Sequence, residues 1–280
     1  MNLVIQGEEV ATPDLKALAK MASGEAIERV SENAFRITHA DPASRDEVAA
    51  HCAHAQLDFG FVADGRTLPD FGLLAMDMDS TLIAIECIDE IADFAGRRKE
   101  VADVTAAAMR GEIDWPESLR RRVATLAGLD EGALARVYAE RLRFNPGAER
   151  LIAAARRCGL KTLLVSGGFT YFTDRVRERL GIDYAYSNVL VVEGGKLAGR
   201  VTGPLVDAQG KAEHVARLKR ELAIPRERVL ALGDGANDLA MLAEAGTSVA
   251  YHAKPVVRAR TTYALDHVGL DGVLNLFPER

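Results

Sequence analysis

Four short apolar runs constrain this chain more than anything else in it: "FGLLAM" (71–76), "KTLLVS" (161–166), "RVLALG" (228–233) and "TSVAY" (247–251). Each is apolar without alternation, as strands buried on both faces are, and each is too short for an ordinary helix. Amphipathic stretches separate them. "FNPGAERLIAAARRCG" offers Asn145 as an N-cap, Pro146 at the first helical position and Gly159 as a stop. "AQGKAEHVARLKRELAIP" runs to Pro225, and "GANDLAMLAEAG" ends at Gly246. Strand–helix alternation of this kind predicts a parallel sheet with right-handed crossovers.

Two stretches break the rhythm. Residues 86–143 read as helices throughout: "ECIDEIADFAG", "RRKEVADVTAAAMRG", "DWPESLRRRVATLAG" and "DEGALARVYAERL". This is a helical insertion after the first strand of the sheet. "NVLVVEGGKLAGRVTG" reads as a hairpin turning at Gly194-Gly195. Residues 1–68 form a separate region. "NLVIQG" predicts a strand, and "TPDLKALAKMA" a helix capped by Thr12 with Pro13 in its first turn. "RVSENAFRITH" supplies one or two strands, "SRDEVAAHCAHAQ" opens with a capping box of Ser44 and Glu47, and "DFGFVAD" closes as a last strand. That order fits a small α+β domain, with "DGRTLPD" as the boundary before a second domain at 69–280.

Composition excludes several classes. The chain has 280 residues, 48% hydrophobic and 27% charged, which is ordinary for a globular protein of one or two domains. A net charge of -6 argues against a nucleic-acid partner, which usually calls for a basic patch. No apolar run approaches the roughly 20 residues of a membrane span, and "MNLVIQGEEV" lacks the basic head of a signal peptide. Cys52, Cys87 and Cys158 form no CxxC pair. A cytoplasmic protein with reduced thiols is the expectation.

The chemistry gathers where the apolar runs end. The first ends in Asp77-Met78-Asp79-Ser80-Thr81, the second in Ser166-Gly167-Gly168, and the third in Gly233-Asp234-Gly235-Ala236-Asn237-Asp238. In open α/β sheets the carboxyl ends of the strands face the ligand crevice. Strand periodicity puts Asp77 and Asp79 on one side, where two carboxylates can serve one reacting centre in two roles. Asp234 would complete an oxygen-rich site suited to Mg²⁺, which would offset carboxylate repulsion. Ser166 and the glycine backbone can hold phosphoryl oxygens, and Lys211 supplies a fixed positive charge. The competing readings are weaker. "DMDSTLIAIECI" has Leu82 and Ile88 where a calcium loop needs Gly and Glu, and "GDGAND" lacks the third glycine of a dinucleotide fingerprint. His51, Cys52 and His54 read as a half-buried helix face rather than a metal site, and Cys87 and Cys158 as apolar filler. His39, His214, His252 and His267 carry no partner spacing.

These motifs resemble the haloacid-dehalogenase-like superfamily of phosphatases, and within it the phosphoserine phosphatase family. "DMDSTLIAIECIDEIA", "SLRRRV", "VSGGF" and "GDGANDLAM" match that family's motifs, over roughly residues 70–278. The resemblance implies an α/β, Rossmannoid parallel-sheet core, a helical cap at about 86–143 and an ACT-like N-terminal domain. It also implies Mg²⁺-dependent hydrolysis of O-phospho-L-serine through an aspartyl-phosphate. Asp77 would be the nucleophile and Asp79 the proton donor and acceptor. Mg²⁺ would sit on the Asp77 carboxylate, the Asp79 backbone carbonyl and Asp234, with Asp238 in support. Ser166, Gly167 and Lys211 would bind the phosphoryl group, beside Gly168, and Asn237 would order substrate and water. Glu86 would face the ammonium and Arg122 the carboxylate of the substrate, with Met109 and Trp115 as apolar bulk. The cap would close over substrate.

The implied partner is a small molecule, with no nucleic acid and no membrane; a homodimer and an amino-acid effector at the N-terminal domain also fit the plan. The alternatives are a relative acting on phosphohomoserine or phosphocholine, and a sensor with a vestigial core.

Overall fold

The computed structural model describes residues 1–280, apart from the side chain of Met109. The first region runs β1 (Asn2–Gln6), α1 (Thr12–Met21), β2 (Ile27–Ser31), β3 (Ala34–Ile37), α2 (Arg45–Ala55), β4 (Asp58–Val62). Its antiparallel sheet has the order β2-β3-β1-β4, and β–α–β–β–α–β is the ferredoxin-like arrangement. Alternation along β1 explains how it packs. Leu3 and Ile5 join Leu18, Ile37, Val48 and Cys52 under the two helices. Val4, on the opposite face, joins Val62 and the large core that includes Tyr263 and Phe277. Both faces of this sheet are therefore covered. Backbone N–H groups of Asp266 and His267 donate to the Asp58 carboxylate at 2.8 and 2.9 Å, and Tyr263 Oη donates to the Phe61 carbonyl at 3.1 Å.

The second region is built on one seven-stranded sheet. After β5 (Leu73–Met76) come α3 (Cys87–Phe94), α4 (Arg98–Met109), α5 (Trp115–Ala124) and α6 (Gly132–Arg136), the last continued by a π-helical turn at Val137–Arg141. Then follow α7 (Ala148–Arg157), β6 (Lys161–Phe169), α8 (Thr170–Leu180), β7 (Tyr184–Glu193), β8 (Lys196–Thr202), α9 (Ala208–Glu221) and β9 (Val229–Gly233). The chain ends with α10 (Leu239–Ala243), β10 (Thr247–Tyr251), α11 (Pro255–Arg258), β11 (Tyr263–Leu265) and α12 (Val273–Leu276). The order is β11-β10-β9-β5-β6-β7-β8, parallel except for the β7–β8 hairpin. All four residues of β5 are fully buried, as its central place demands. The hairpin reaches the helical insertion: Gly128 N–H donates to the Leu197 carbonyl and Leu197 N–H to the Leu129 carbonyl, both at 2.8 Å. No helix is long and apolar enough to cross a membrane among the described residues.

Three capping expectations differ from the structure. Asn145 does not cap α7, which starts at Ala148 behind a left-handed Gly147 (φ +78°). The Asn145 amide serves a loop whose carbonyls lack ladder partners, as described below. Ser44 precedes α2 but its hydroxyl donates to the Asp41 carbonyl at 2.6 Å, because a 3-10 turn at Pro42–Ser44 brings that oxygen within reach. Thr12 is the first residue of α1, and Ala11 holds the extended cap position; helix ends shift by a residue or two in this way. His51 Nε2 pairs with Asp14 Oδ1 at 2.8 Å between α1 and α2, while Cys52 is buried and His54 exposed.

Candidate active site

The central strands carry the candidate reactive groups to one rim. Met76 pairs with Leu164 of β6 and Leu232 of β9, so Asp77, Ser166 and Asp234 emerge side by side. Lys211, near the start of α9, reaches in from behind. Its Nζ lies 2.7 Å from Asp77 Oδ1 and 2.7 Å from Asp238 Oδ1, and it is 1% exposed. Asp238 is itself a strut: its Oδ2 accepts the N–H groups of Asp234 at 3.1 Å and Gly235 at 2.9 Å. A lysine this deep is tolerated because two carboxylates share it. Burial pulls its ammonium down, but Asp238 and Asp77 outweigh that and hold it above the ordinary value.

The loop after Asp77 is held at several points. Ser80 is left-handed (φ +57°), a conformation that costs energy for a residue with a Cβ. Asn145 Nδ2 offsets it by donating to three carbonyls, Thr81 at 2.7 Å and Ser80 and Ile83 at 3.3 Å. Thr81 Oγ1 donates to Asp234 Oδ1 at 2.7 Å, and Ser80 Oγ to Glu86 Oε1 at 2.7 Å. Asp79 is held by two donors: Oδ1 accepts Cys87 N–H at 3.0 Å and Oδ2 accepts Ser166 Oγ–H at 3.1 Å.

Glycines are required where β6 ends. A Cβ on Gly168 would stand 2.7 Å from Asp79 Oδ2, and one on Gly167 would stand 3.0 Å from the Trp115 ring. The first substitution would displace the Asp79 carboxylate, and the second would press on the Trp115 ring. Ser166 is fully buried, and its hydroxyl is committed to Asp79 and to Gly168 N–H (2.8 Å).

Opposite this rim, α4 and α5 close a cavity of about 440 Å³. Asp77, Asp79, Lys211, Asp234 and Asn237 line its floor, and Glu86, Trp115 and Arg122 line its walls. Gly167 and Gly168 face it too, whereas Ser166 and Asp238 lie beneath. Arg122 Nε is 3.4 Å from the Ser118 carbonyl, so its guanidinium is held only loosely. The Met109 side chain lies outside the described residues; its backbone ends α4.

Charge in this cavity is one-sided. Asp77, Asp79, Glu86, Asp234 and Asp238 face Lys211 and Arg122. Burial, joined by the Asp238 charge, pushes the Asp77 carboxyl well up despite Lys211. Burial also raises Asp79. Burial pushes Asp234 up to about 6, and burial with the Asp79 charge pushes Glu86 up to about 7. Arg122 is lowered by burial, against the pull of Asp89 and Glu86. Oxygens of Asp77, Asp234 and Asp238 lie within 4.8 Å of one another. Those of Asp238 are already committed, whereas Asp77 Oδ2 and Asp234 Oδ2 accept no hydrogen bond among the described residues. An oxygen-only donor set with excess negative charge fits Mg²⁺.

Sequence reasoning gave Thr81 no role of its own and missed Asn145 as a support of this site. Thr81 stood in plain view two residues after Asp79. Asn145 was hidden by its likeness to a helix cap.

A parallel sheet with carboxylates at its central strand ends, under a helical lid, defines a class of hydrolase. The family profile of haloacid dehalogenase-like hydrolases matches residues 74–243, and the chain belongs to that family. A second profile, described as a domain of unknown function, matches residues 3–48. Within the hydrolases, phosphoserine phosphatases are among the relatives it resembles. One from Polaromonas sp. is 55% identical over 214 residues, 75% of this chain and 91% of its own. The unliganded structure of a probable phosphoserine phosphatase from Vibrio cholerae superposes with a TM-score of 0.86 at 37% identity, over 99% of this chain and 86% of that one. A substrate-bound phosphoserine phosphatase superposes with a TM-score of 0.69 at 35% identity, over 74% of this chain and 98% of that one.

Proposed function

We propose that this protein is a phosphoserine phosphatase, hydrolysing O-phospho-L-serine to serine and phosphate, the last step of serine synthesis. One observation carries the reading. A single cavity joins the Asp77–Lys211–Asp234 rim to Glu86 and Arg122, an anion and a cation suited to an α-ammonium and an α-carboxylate. We also assign residues 1–68 and 69–280 to separate domains, with 86–143 as the cap, and place the enzyme in the cytoplasm, where its free thiols persist.

Asp77 is the nucleophile. Lys211 and the Met78 N–H hold its Oδ1 and so orient the carboxylate for attack on phosphorus. The P–O bond to serine breaks as the P–O bond to Asp77 forms. Asp79, whose raised carboxyl can hold a proton, gives it to the departing seryl oxygen. Asp79 then takes a proton from the water that attacks the phosphoryl group, and Asp77 leaves as a carboxylate. Gly167 and Gly168 let the backbone approach the phosphoryl oxygens, and Asn237 lies where it can order substrate and water. Asp77, Asp234 and the Asp79 carbonyl would hold Mg²⁺, which supplies positive charge against the phosphoryl oxygens. Trp115 and the cap helices exclude bulk water.

The test is phosphate release from phosphoserine, phosphohomoserine and phosphocholine, with Mg²⁺ and with chelator. Phosphoserine should give the highest kcat/KM, and chelator should abolish turnover. A preference for phosphocholine, which lacks the carboxylate, would overturn the role of Arg122 and the substrate with it.

A further inference from the structure

The β6–β7 ladder breaks at the phosphate loop. Val165 pairs with Tyr186 and Phe169 with Asn188, so three residues of β6 bulge out against Ser187 alone. The Gly167 carbonyl thereby loses its place in the ladder. The Asn188 side chain, 1% exposed, takes over: its Nδ2 donates to Gly167 O at 2.8 Å. Its Oδ1 accepts Val206 N–H at 2.9 Å, which fixes which end of the amide faces the glycine. Val206 directly precedes Asp207, the N-cap of the helix that carries Lys211.

Each bond constrains the next. The peptide between Gly167 and Gly168 is trans, so holding its carbonyl on one side aims its N–H to the other. That N–H donates to Ser166 Oγ at 2.8 Å, and Ser166 then has its own hydrogen to give to Asp79 Oδ2 at 3.1 Å. From Val206 to Asp79 every donor and acceptor is assigned.

We infer that Asn188 is a positioning residue for the reaction: through the Gly167–Gly168 peptide and Ser166 it sets the orientation of Asp79, and it ties that orientation to the start of the Lys211 helix. The inference rests on the reading of Asp79 as the proton donor to the leaving group. A buried amide that merely filled space would have no reason to be coupled to Ser166.

The experiment is a double-mutant cycle of Asn188→Ala and Ser166→Ala, measured with phosphoserine and with p-nitrophenyl phosphate. The p-nitrophenolate group leaves without needing a proton. Asn188→Ala should lower kcat/KM with phosphoserine, which reports the steps up to departure of the leaving group, about tenfold to a hundredfold, the penalty a misplaced reacting group brings. It should cost much less with p-nitrophenyl phosphate, and add little in the Ser166→Ala background. Equal losses on both substrates, or effects that multiply, would overturn the inference. Asn188→Asp keeps the acceptor for Val206 and removes the donor, so it should match the alanine variant. Should neither variant fold, hydrogen exchange in the wild-type protein decides. A protected Gly168 amide is expected, and exchange at the rate of an open loop overturns the chain of bonds. Wild-type protein that cleaves p-nitrophenyl phosphate but not phosphoserine would overturn the substrate reading alone, and the cycle would then compare p-nitrophenyl phosphate with the best-cleaved alkyl phosphoester, whose leaving oxygen also needs a proton.

Discussion

The two ends of the seven-stranded sheet treat carboxylates in opposite ways. At the carboxyl end, the buried Asp77 and the half-buried Asp79 and Asp234 line one cavity, and each carboxyl is pushed above its ordinary value. At the amino end, Asp183 precedes β7 and accepts from Thr162 N–H at 2.9 Å, Thr162 Oγ1 at 2.8 Å and Lys161 Nζ at 3.0 Å. Burial pulls that carboxyl up, but the donors outweigh it and hold it below the usual range. One end therefore strengthens the fold, and the other carries uncompensated charge that suits a cation and a transferring phosphoryl group. Chemistry and stability have been separated along a single set of strands.

Substitutions at the two ends should separate the same way. Asp77→Asn should lower kcat about 10⁴-fold or more, the scale seen when a nucleophile is lost. It should melt no lower than the wild type, since it removes a buried charge; a large drop in melting temperature would break the comparison. Asp79→Asn should lose about 10²–10⁴-fold in kcat, as expected for a general acid and base, with phosphoserine binding retained. Arg122→Ala should reduce kcat/KM for phosphoserine about 10- to 100-fold and barely alter that for phosphoethanolamine, which lacks the carboxylate. Equal losses on both would assign Arg122 to the fold rather than to selectivity.

Asp183→Ala supplies the opposite case. Steady-state kinetics should be unchanged, while stability at pH 7 falls by about 1–2 kcal/mol, discounted for partial exposure. Because the folded-state value is depressed, this contribution is present above the unfolded value of about 3.9 and is lost as pH falls through the folded one. Denaturant melts of variant and wild type should therefore converge on acidification. A gap that persisted at low pH would point to packing instead.

The sequence made the sheet and its rim legible because their signals are local. Uninterrupted apolar runs mark strands buried on both faces, and the reactive side chains stand next to them in the chain. What it hid were bonds between distant positions. Thr81 and Asp234 are 153 residues apart and Asn145 and Thr81 are 64 apart, so neither pair shares a local pattern. Local signals also misled, since Asn145 and Ser44 carry the chemistry of caps yet spend their side chains on nearby carbonyls. The bulge after Val165 was equally invisible, because a ladder break depends on the neighbouring strand.

The central claim is that Asp77 takes the phosphoryl group covalently. Acid quench of early turnover with phosphoserine and Mg²⁺, followed by mass spectrometry of the digested protein, reads this directly. One added phosphoryl group on Asp77 is the predicted result. Its appearance on another side chain, or full turnover by Asp77→Asn, would contradict the account.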